Sequence, residues 1–127
     1  MLLLDSQAVL WLLDDSPKFG SQARMTITEA TRVYVSAASV WELTIKAMLG
    51  KLTMPAGLSD RLLEQGLFLL NVTSEDAEAI RRFPELAKHD PFDRLIIAQA
   101  SLGNLRLVTA DRVLLALDRD FLIDATV

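Results

Sequence analysis

Short apolar runs alternate along the chain with longer segments whose apolar residues recur at helical spacing. The short runs are typical of buried strands, and the longer segments show the pattern of helices with one buried face. The predicted strands are 2–4, 32–37, 67–72, 105–109 and 121–125. The predicted helices are 6–15, 21–30, 39–52, 58–66, 73–83, 91–103 and 111–117, with a loop at 52–57.

The order of these elements predicts the fold class. Strands separated by helix-containing connections pair in parallel, and strands that are apolar throughout are buried on both faces. The pattern therefore predicts an α/β fold, with an open parallel sheet and helices on both faces. The length favours a single domain over 1–127. In such sheets, ligands bind beyond the carboxyl ends of the strands.

The composition narrows the chemistry. The net charge of −4, from 13 basic and 17 acidic residues, argues against non-specific binding of nucleic acid but not against an enzyme that meets phosphates through a metal ion. There are no cysteines, which excludes disulfides, zinc–thiolate sites and thiol catalysis. The single histidine, His89, cannot supply the pair of histidines that metal-free RNA cleavage often uses.

The sequence gives no indication of a membrane segment. The apolar start of the chain is interrupted by Asp5 and lacks the basic residues that open a signal peptide. No stretch approaches the ~18 apolar residues of a transmembrane helix. We therefore expect a cytoplasmic protein that has no membrane partner.

Acidic residues stand near the ends of the predicted strands. Asp5 directly follows the first strand, and Glu42 lies in the first turns of the helix after the second strand. Asp93 lies near the start of the helix that leads into the fourth strand, and Asp111 follows that strand. Because parallel strands end at one edge of a sheet, these side chains are candidates for a common site. An all-oxygen cluster suits Mg²⁺ or Mn²⁺.

Each acid also has an ordinary structural interpretation. Helix caps and ion pairs across one helical turn use the same residue types at the same positions. The candidates are a Ser39–Glu42 capping box, N-caps at Asp5, Asp90 and Asp111, a first-turn acid at Asp93, and a Glu42–Lys46 ion pair. For any acid taken alone, the structural and the chemical interpretation both remain open.

The acids as a set are harder to explain by capping. Helical spacing places Asp93 on the same face as Ile97, whereas Arg94 lies on a different face. Inward-facing carboxylates repel one another unless they are paired or bind a metal. Few cationic side chains are candidates for the pairing, namely Lys46, Arg94 and Arg112, so a divalent cation is the natural counter-charge.

Several other polar and aromatic residues have two interpretations each. Ser6 is either an N-cap or a donor near the site, and Thr109 is either a donor to a carboxylate or an ordinary strand residue. Trp11 and Trp41 stand among apolar residues at helical spacing, which favours core packing over base stacking. His89 is expected at the surface or outside the ligand set, because a hard metal ion prefers oxygen.

Three separated motifs resemble those of the PIN domain, specifically of VapC-type toxins from bacterial toxin–antitoxin pairs. They are LLLDSQAVLW, VSAASVWELTIKAMLGKL, and HDPFDRLIIAQA followed by LRLVTADR, and they occur in order along nearly the whole chain. The resemblance implies a parallel sheet of order 3-2-1-4-5 and an endoribonuclease that depends on Mg²⁺ or Mn²⁺. It also implies a homodimer and a small VapB-like antitoxin that binds and blocks the site.

The resemblance also implies roles for residues that match these motifs. The catalytic acids are Asp5, Glu42, Asp93 and Asp111, of which Asp5, Asp93 and Asp111 bind the metal. Asp93 takes the third place because it stands before RLIIAQA, which leaves Asp90 as a cap or an outer residue. The candidates for supporting or substrate contacts are Ser6, Lys46, Asp90, Arg94 and Thr109. Many related chains have another acid a few residues after this position, whereas here no acid follows Asp111 before Asp118. The resemblance therefore does not imply a complete second metal site.

The predicted function is metal-assisted hydrolysis of RNA phosphodiester bonds, in which the ion activates water and neutralises charge in the transition state. Two alternatives belong to other classes. A receiver-like phosphoacceptor module has a pair of acids near the first strand end, where this chain has Asp5 alone. A catalytically inactive PIN-like scaffold only binds a partner, and the presence of all four acids argues against it.

Overall fold

The computed structural model describes residues 1–54 and 56–127. Within them, the strands are β1 (Leu2–Leu4), β2 (Val33–Ser36), β3 (Phe68–Leu70), β4 (Arg106–Thr109) and β5 (Leu122–Asp124). The helices are α1 (Ser6–Leu13), α2 (Ser21–Glu29), α3 (Ala37–Met48), α4 (Leu58–Glu64), α5 (Ser74–Glu78), α6 (Pro91–Leu102) and α7 (Arg112–Leu115). Every predicted strand and helix is present, with shifted ends. The predicted loop at 52–57 includes Pro55, which lies outside the described residues.

The five strands form one parallel sheet of order β3-β2-β1-β4-β5. The predicted α/β class and the order 3-2-1-4-5 are therefore confirmed. Leu4, at the end of β1, pairs with Val35 of β2 on one side and with Val108 of β4 on the other. A receiver-like module has the strand order 2-1-3-4-5, so the observed order argues against that alternative.

Side chains that alternate along β1 bury the two faces of the sheet. Leu2 and Leu4 belong to a core shared with helices α1 to α4. Leu3 points the other way, into a second core formed with α6, α7 and the turns before α6. Successive strand residues face opposite sides of a sheet, so one three-residue apolar strand supplies both cores. The predicted helices on both faces are confirmed.

The start of α3 differs from the predicted capping box. The N-cap is Ser36, whose hydroxyl oxygen accepts a hydrogen bond from the Ala38 amide at 3.0 Å. Ser39 is fully buried, and its hydroxyl has no hydrogen-bond partner among the described residues. The prediction of a Ser39–Glu42 box is wrong because the helix begins directly after β2, where Ser36 already serves as the cap.

Trp41 does not pack in the core. It is 62% exposed, and its ring meets that of Phe92 edge-on with 5.1 Å between the ring centroids. The core prediction for Trp41 is wrong because Glu42 and Leu43 take the buried positions of this part of α3. Trp11, by contrast, packs partly buried against the core, as predicted.

The segment predicted as one helix over 73–83 changes type along its length. The α-helix ends at Glu78, and the chain continues as a 3-10 turn over Ala79–Arg82. Pro84 follows and disfavours helical geometry at the residue before it. Phe83 accordingly has φ −124° and ψ 66°, outside the helical region. A second 3-10 turn, Pro84–Leu86, then leads toward α6.

The longest helices of the described residues, α3 and α6, have 12 residues each. Within 1–54 and 56–127, no helix has the length and apolar character needed to cross a membrane.

A buried polar network joins the helices that carry two of the candidate acids. Gln99 of α6 is 1% exposed and lies at its centre. The Ser36 hydroxyl donates to Gln99 Oε1 at 2.6 Å. Gln99 Nε2 donates to the Asp76 carboxylate and to the Asn71 carbonyl, both at 3.2 Å. Since Ser36 caps α3, the network fixes α3 against α6.

Replacing Gln99 with leucine is expected to lower the free energy of unfolding by about 2–4 kcal/mol. The change leaves Ser36 and Asp76 without their buried partner, and each orphaned polar group costs about 1–3 kcal/mol. Urea unfolding followed by circular dichroism measures the loss. Gln22→Leu, at an exposed position of α2, is the matched control and should stay within about 0.5 kcal/mol of wild type. Equal stability of the two variants would show that the network contributes nothing.

Candidate metal centre

The site lies beyond the carboxyl ends of β1 and β4, where the chain switches from one half of the sheet to the other. Ligands of open α/β sheets bind at such switch points. A cavity of about 440 Å³ opens there. Its polar lining consists of Asp5, Ser6, Gln7, Glu42, Lys46, Asp93, Asp111, Arg112 and Thr126. The four acids selected from the sequence thus line one cavity.

Asp5 follows β1 and caps α1. Its Oδ1 accepts a hydrogen bond from the Ala8 amide at 2.8 Å, and its Oδ2 accepts one from the Thr109 hydroxyl at 2.5 Å. The predicted cap and the predicted contact to Thr109 are therefore both present. The side chain is buried, and the Ala110 backbone donates a further hydrogen bond to it, so one of about four acceptor positions remains for another partner.

Asp111 follows β4 and caps α7. Its Oδ1 accepts hydrogen bonds from the amides of Val113 and Leu114 at 2.8 and 3.2 Å. The backbone amide of Asp111 donates to the Thr109 hydroxyl oxygen at 3.0 Å. Thr109 therefore joins two acids, because the same hydroxyl donates to Asp5 and accepts from Asp111.

Asp90 and Asp93 occupy different positions at the start of α6. Asp90 is the exposed N-cap, and its Oδ1 accepts from the amides of Phe92 and Asp93 at 2.9 and 3.1 Å. Pro91 takes the first helical position, as predicted. Asp93 is half-buried and lines the cavity. Asp90 does not belong to the lining that the described residues form.

His89 lies against two of the acids. Its Nε2 is 3.0 Å from Oδ2 of Asp111 and 3.4 Å from Oδ2 of Asp93, and its side chain is 22% exposed. The backbone amide of His89 donates to the carbonyl of Leu86, a buried core residue, at 2.9 Å. Of the two positions expected for His89, the surface position is wrong and the position beside the candidate ligands is observed.

Glu42 reaches the cavity from α3 with both oxygens engaged. The Ser6 hydroxyl donates to Oε1 at 2.5 Å, and Lys46 Nζ lies 3.1 Å from Oε2. The predicted ion pair between Glu42 and Lys46 is thus present. The Glu42 side chain is buried, while the Lys46 side chain is 43% exposed at the edge of the site.

Burial and crowding shift the pKa values of three acids. Loss of hydration is the largest cause for Asp93, and its hydrogen bond to Asp111 and the nearby negative charges add to it, raising the pKa from 3.8 to about 8. Burial raises the pKa of Asp5, against the hydrogen bond from Thr109. Burial also acts on Asp111, but hydrogen bonds from Asp93 and His89 outweigh it and lower its pKa. The hydrogen bond between Asp93 and Asp111 thus contributes to the raised pKa of Asp93 and to the lowered pKa of Asp111.

The charges of the lining favour a bound cation. Four carboxylates face two cationic side chains, Lys46 and Arg112. Lys46 is paired with Glu42, and Arg112 is turned to Asp124 through two hydrogen bonds of 2.9 and 3.0 Å. The other three carboxylates offer the oxygen ligands that Mg²⁺ and Mn²⁺ bind. Three side chains, those of His89, Asp93 and Asp111, have possible ligand atoms that lie within 4.8 Å of one another. The residues present therefore fit a divalent ion.

Arg94 differs from its sequence-based interpretation, and His89 takes one of the two positions expected for it. Arg94 is not among the described residues that line the cavity, and its Nε is buried without a hydrogen-bond partner within them. His89 contacts Asp111, as expected for a residue beside the ligand set, and its spacing of four residues before Asp93 is the sequence signal for this position. Residues at that spacing lie on one helical face when the turn continues into a helix.

Comparison with known proteins agrees with this architecture. The PIN domain model matches residues 2–120, and the chain belongs to the PIN domain family.

A toxin–antitoxin complex from Klebsiella pneumoniae is 17% identical, with a TM-score of 0.69 and 98% of each chain covered. FitAcB from Neisseria gonorrhoeae is 23% identical, with a TM-score of 0.67 and again 98% of each chain covered. DNA-bound VapBC from Salmonella typhimurium is 21% identical, with a TM-score of 0.61, covering 94% of this chain and 92% of its own. These likenesses show a shared fold. No curated protein of significant sequence similarity was found.

Proposed function

We propose that this protein is a metal-dependent endoribonuclease and that it serves as the toxin of a toxin–antitoxin pair. The observation that carries the proposal is the convergence of Asp5, Glu42, Asp93 and Asp111 on one cavity beyond the carboxyl ends of β1 and β4. Membership of the PIN domain family supports it, since PIN domains are usually metal-dependent nucleases.

The four acids have different roles in the proposed reaction. Asp5, Asp93 and Asp111 would hold Mg²⁺ or Mn²⁺, which when bound supplies positive charge at the phosphate and promotes ionisation of water. Asp93, which lines the cavity, accepts the proton of the attacking water at a carboxylate oxygen. Glu42, held by Ser6 and Lys46, orients the water from the α3 side.

The remaining polar residues position the acids and the substrate. Thr109 fixes Asp5 in place through its hydroxyl. Lys46 is partly exposed at the cavity wall, where its ammonium group reaches a phosphate of the RNA backbone. Since the chain carries a net charge of −4, RNA binding depends on this local charge and on the ion rather than on a basic surface.

The proposed partners are a VapB-like antitoxin that blocks the cavity and a second copy of the chain. The antitoxin is supported by the structural neighbours, since the Klebsiella neighbour is a toxin–antitoxin complex and the Salmonella neighbour is VapBC. The homodimer rests on the resemblance to VapC-type toxins. Growth arrest on expression of the chain alone, relieved by its antitoxin, is the cellular behaviour that this role requires.

The purified protein is expected to cleave single-stranded RNA in Mg²⁺ or Mn²⁺, leaving 5′-phosphate ends, and to stop in chelator. Asp5→Asn should slow cleavage by at least ~100-fold, since it weakens the hold on the ion. Asp60→Asn, at an exposed acid of α4, is the matched control and should cleave at the wild-type rate. Cleavage that persists in chelator would contradict the proposal. Metal binding without cleavage of any RNA would instead identify a catalytically inactive binding module.

A further inference from the structure

The ring of His89 contacts two of the candidate acids. One ring nitrogen, Nε2, faces carboxylate oxygens of two different residues, at 3.0 Å from Asp111 and 3.4 Å from Asp93. A neutral imidazole has one N–H, which serves one acceptor well and not two. These two distances are close to the separation of neighbouring ligands of an octahedral ion, about 3 Å when each is bound at about 2.1 Å, and the ligand atoms of the three residues all lie within 4.8 Å of one another.

The local fold holds the imidazole in that position. The backbone of His89 is tied to Leu86, which is buried in the core formed with α6. The next residue, Asp90, caps α6, so the connector passes directly from the 3-10 turn into the helix. The Oδ1 cap of Asp111 on α7 turns its Oδ2 toward the ring. His89 and Asp93 are therefore placed by the connector and the first turn of α6, and Asp111 is placed by its cap on α7.

We propose that His89 joins the carboxylate ligands of the proposed function, with Asp93 and Asp111 as its nearest neighbours, in a mixed nitrogen–oxygen site that selects Mn²⁺ over Mg²⁺. Mg²⁺ takes oxygen ligands and keeps much of its water, whereas imidazole nitrogen is a good ligand for first-row transition ions. A nitrogen in the site therefore favours Mn²⁺. The inference rests on the proposed function, because it assumes that the ion of that function binds here.

The decisive measurement is electron spin-echo spectroscopy of Mn²⁺ bound to the metal-stripped protein, purified without a polyhistidine tag. His89 is the only histidine, so a directly bonded imidazole ¹⁴N signal can come from no other side chain. The expected result is ¹⁴N coupling in wild type and its loss in His89→Gln. Mn²⁺ that binds without ¹⁴N coupling in wild type would overturn the inference, and this readout does not depend on any variant folding.

Calorimetric titration with each ion gives a second, independent test. His89→Gln is expected to weaken Mn²⁺ binding by roughly 10-fold or more and Mg²⁺ binding much less, because glutamine keeps a hydrogen-bond donor for Asp111 but loses the imidazole. Lys88→Ala, at the exposed neighbouring residue, is the matched control and should change both affinities equally and slightly. Unchanged Mn²⁺ affinity in His89→Gln would show that His89 only donates a hydrogen bond to Asp111.

The outcomes separate the two proposals. Mn²⁺ binding without the nitrogen signal removes His89 from the ligand set while the metal-dependent nuclease stands. Wild-type protein that binds neither ion at millimolar concentration overturns the metal centre itself, and the His89 inference with it.

Discussion

Replacing Asp93 with asparagine is expected to slow RNA cleavage by at least ~100-fold, which is the scale of loss when a general base or a group of the metal site is removed. Asp93 lines the cavity and is hydrogen-bonded to Asp111. Asparagine keeps the size of the side chain but has no negative charge and cannot accept the proton. Initial rates on a fluorogenic single-stranded RNA in saturating Mg²⁺, and again in Mn²⁺, measure the loss.

The matched control for this change lies three residues earlier in the same motif. Asp90→Asn also removes one negative charge at the start of α6, but Asp90 is exposed and caps the helix. Asparagine is as good an N-cap as aspartate. The Asp90 variant should therefore cleave at close to the wild-type rate. Full activity in Asp93→Asn together with loss in Asp90→Asn would show that the wrong acid of DPFD has been chosen.

Most of the fold could be predicted from the sequence because its strands are short, apolar and separated by helical patterns. Leu2–Leu4 is apolar at every position and lies in the middle of the sheet, where both faces are covered. The ends of helices were harder to predict. A serine in the predicted helix start, Ser39, looked like a cap, but tertiary packing buried it and Ser36 capped α3 instead. Trp41 shows the same limit, because an aromatic residue at helical spacing does not reveal which face of the helix is covered.

The sequence could also predict which acids meet, because parallel strands bring their carboxyl ends to one edge. It could not reveal that capping and site formation are compatible for the same residue. Asp111 uses Oδ1 to cap α7 and turns Oδ2 to His89, and Asp5 divides its two oxygens between Ala8 and Thr109. A cap thus fixes the direction of the second oxygen. The contact of His89 depends on a 3-10 turn, which has no strong sequence pattern of its own.

The second large effect concerns stability, and it tests the acid cluster without any RNA. In chelator at pH 8, Asp93→Asn is expected to be more stable than wild type by a few kcal/mol. The pKa of Asp93 is about 8 in the folded protein, whereas the ordinary value of 3.8 applies to the unfolded chain. Between these two values the folded state holds a proton that the unfolded state has released. Raising the pH through this window therefore favours unfolding.

The variant removes this pH dependence, because asparagine resembles a permanently protonated Asp93. Near pH 4 and below the two proteins should differ little, and the gap should widen by up to about 1.4 kcal/mol per pH unit as the pH approaches 8. The lowered pKa of Asp111 does not interfere. The contribution of Asp111 to the free energy of unfolding is lost only as the pH falls below 3.8 toward the pKa of Asp111 in the folded protein. That range lies outside the pH values measured. Comparing the two proteins at each pH cancels the titration of the groups that Asp93 does not contact.

Thermal melts of both proteins in chelator and in excess Mg²⁺, at pH 5.5 and pH 8, decide between the acid cluster and a plain helix acid. For a chain of 127 residues each kcal/mol corresponds to roughly 3–5 °C. Mg²⁺ at about 100 times its dissociation constant should stabilise wild type by about 2.7 kcal/mol and the variant far less. Asp60→Asn removes an exposed first-turn acid of α4 and supplies the control, with an expected loss of roughly 0.3–1 kcal/mol that is unaffected by Mg²⁺. If Asp93→Asn behaves like Asp60→Asn, melting lower than wild type in chelator and gaining as much from Mg²⁺, then Asp93 is an ordinary helix acid and the carboxylates do not form a metal centre.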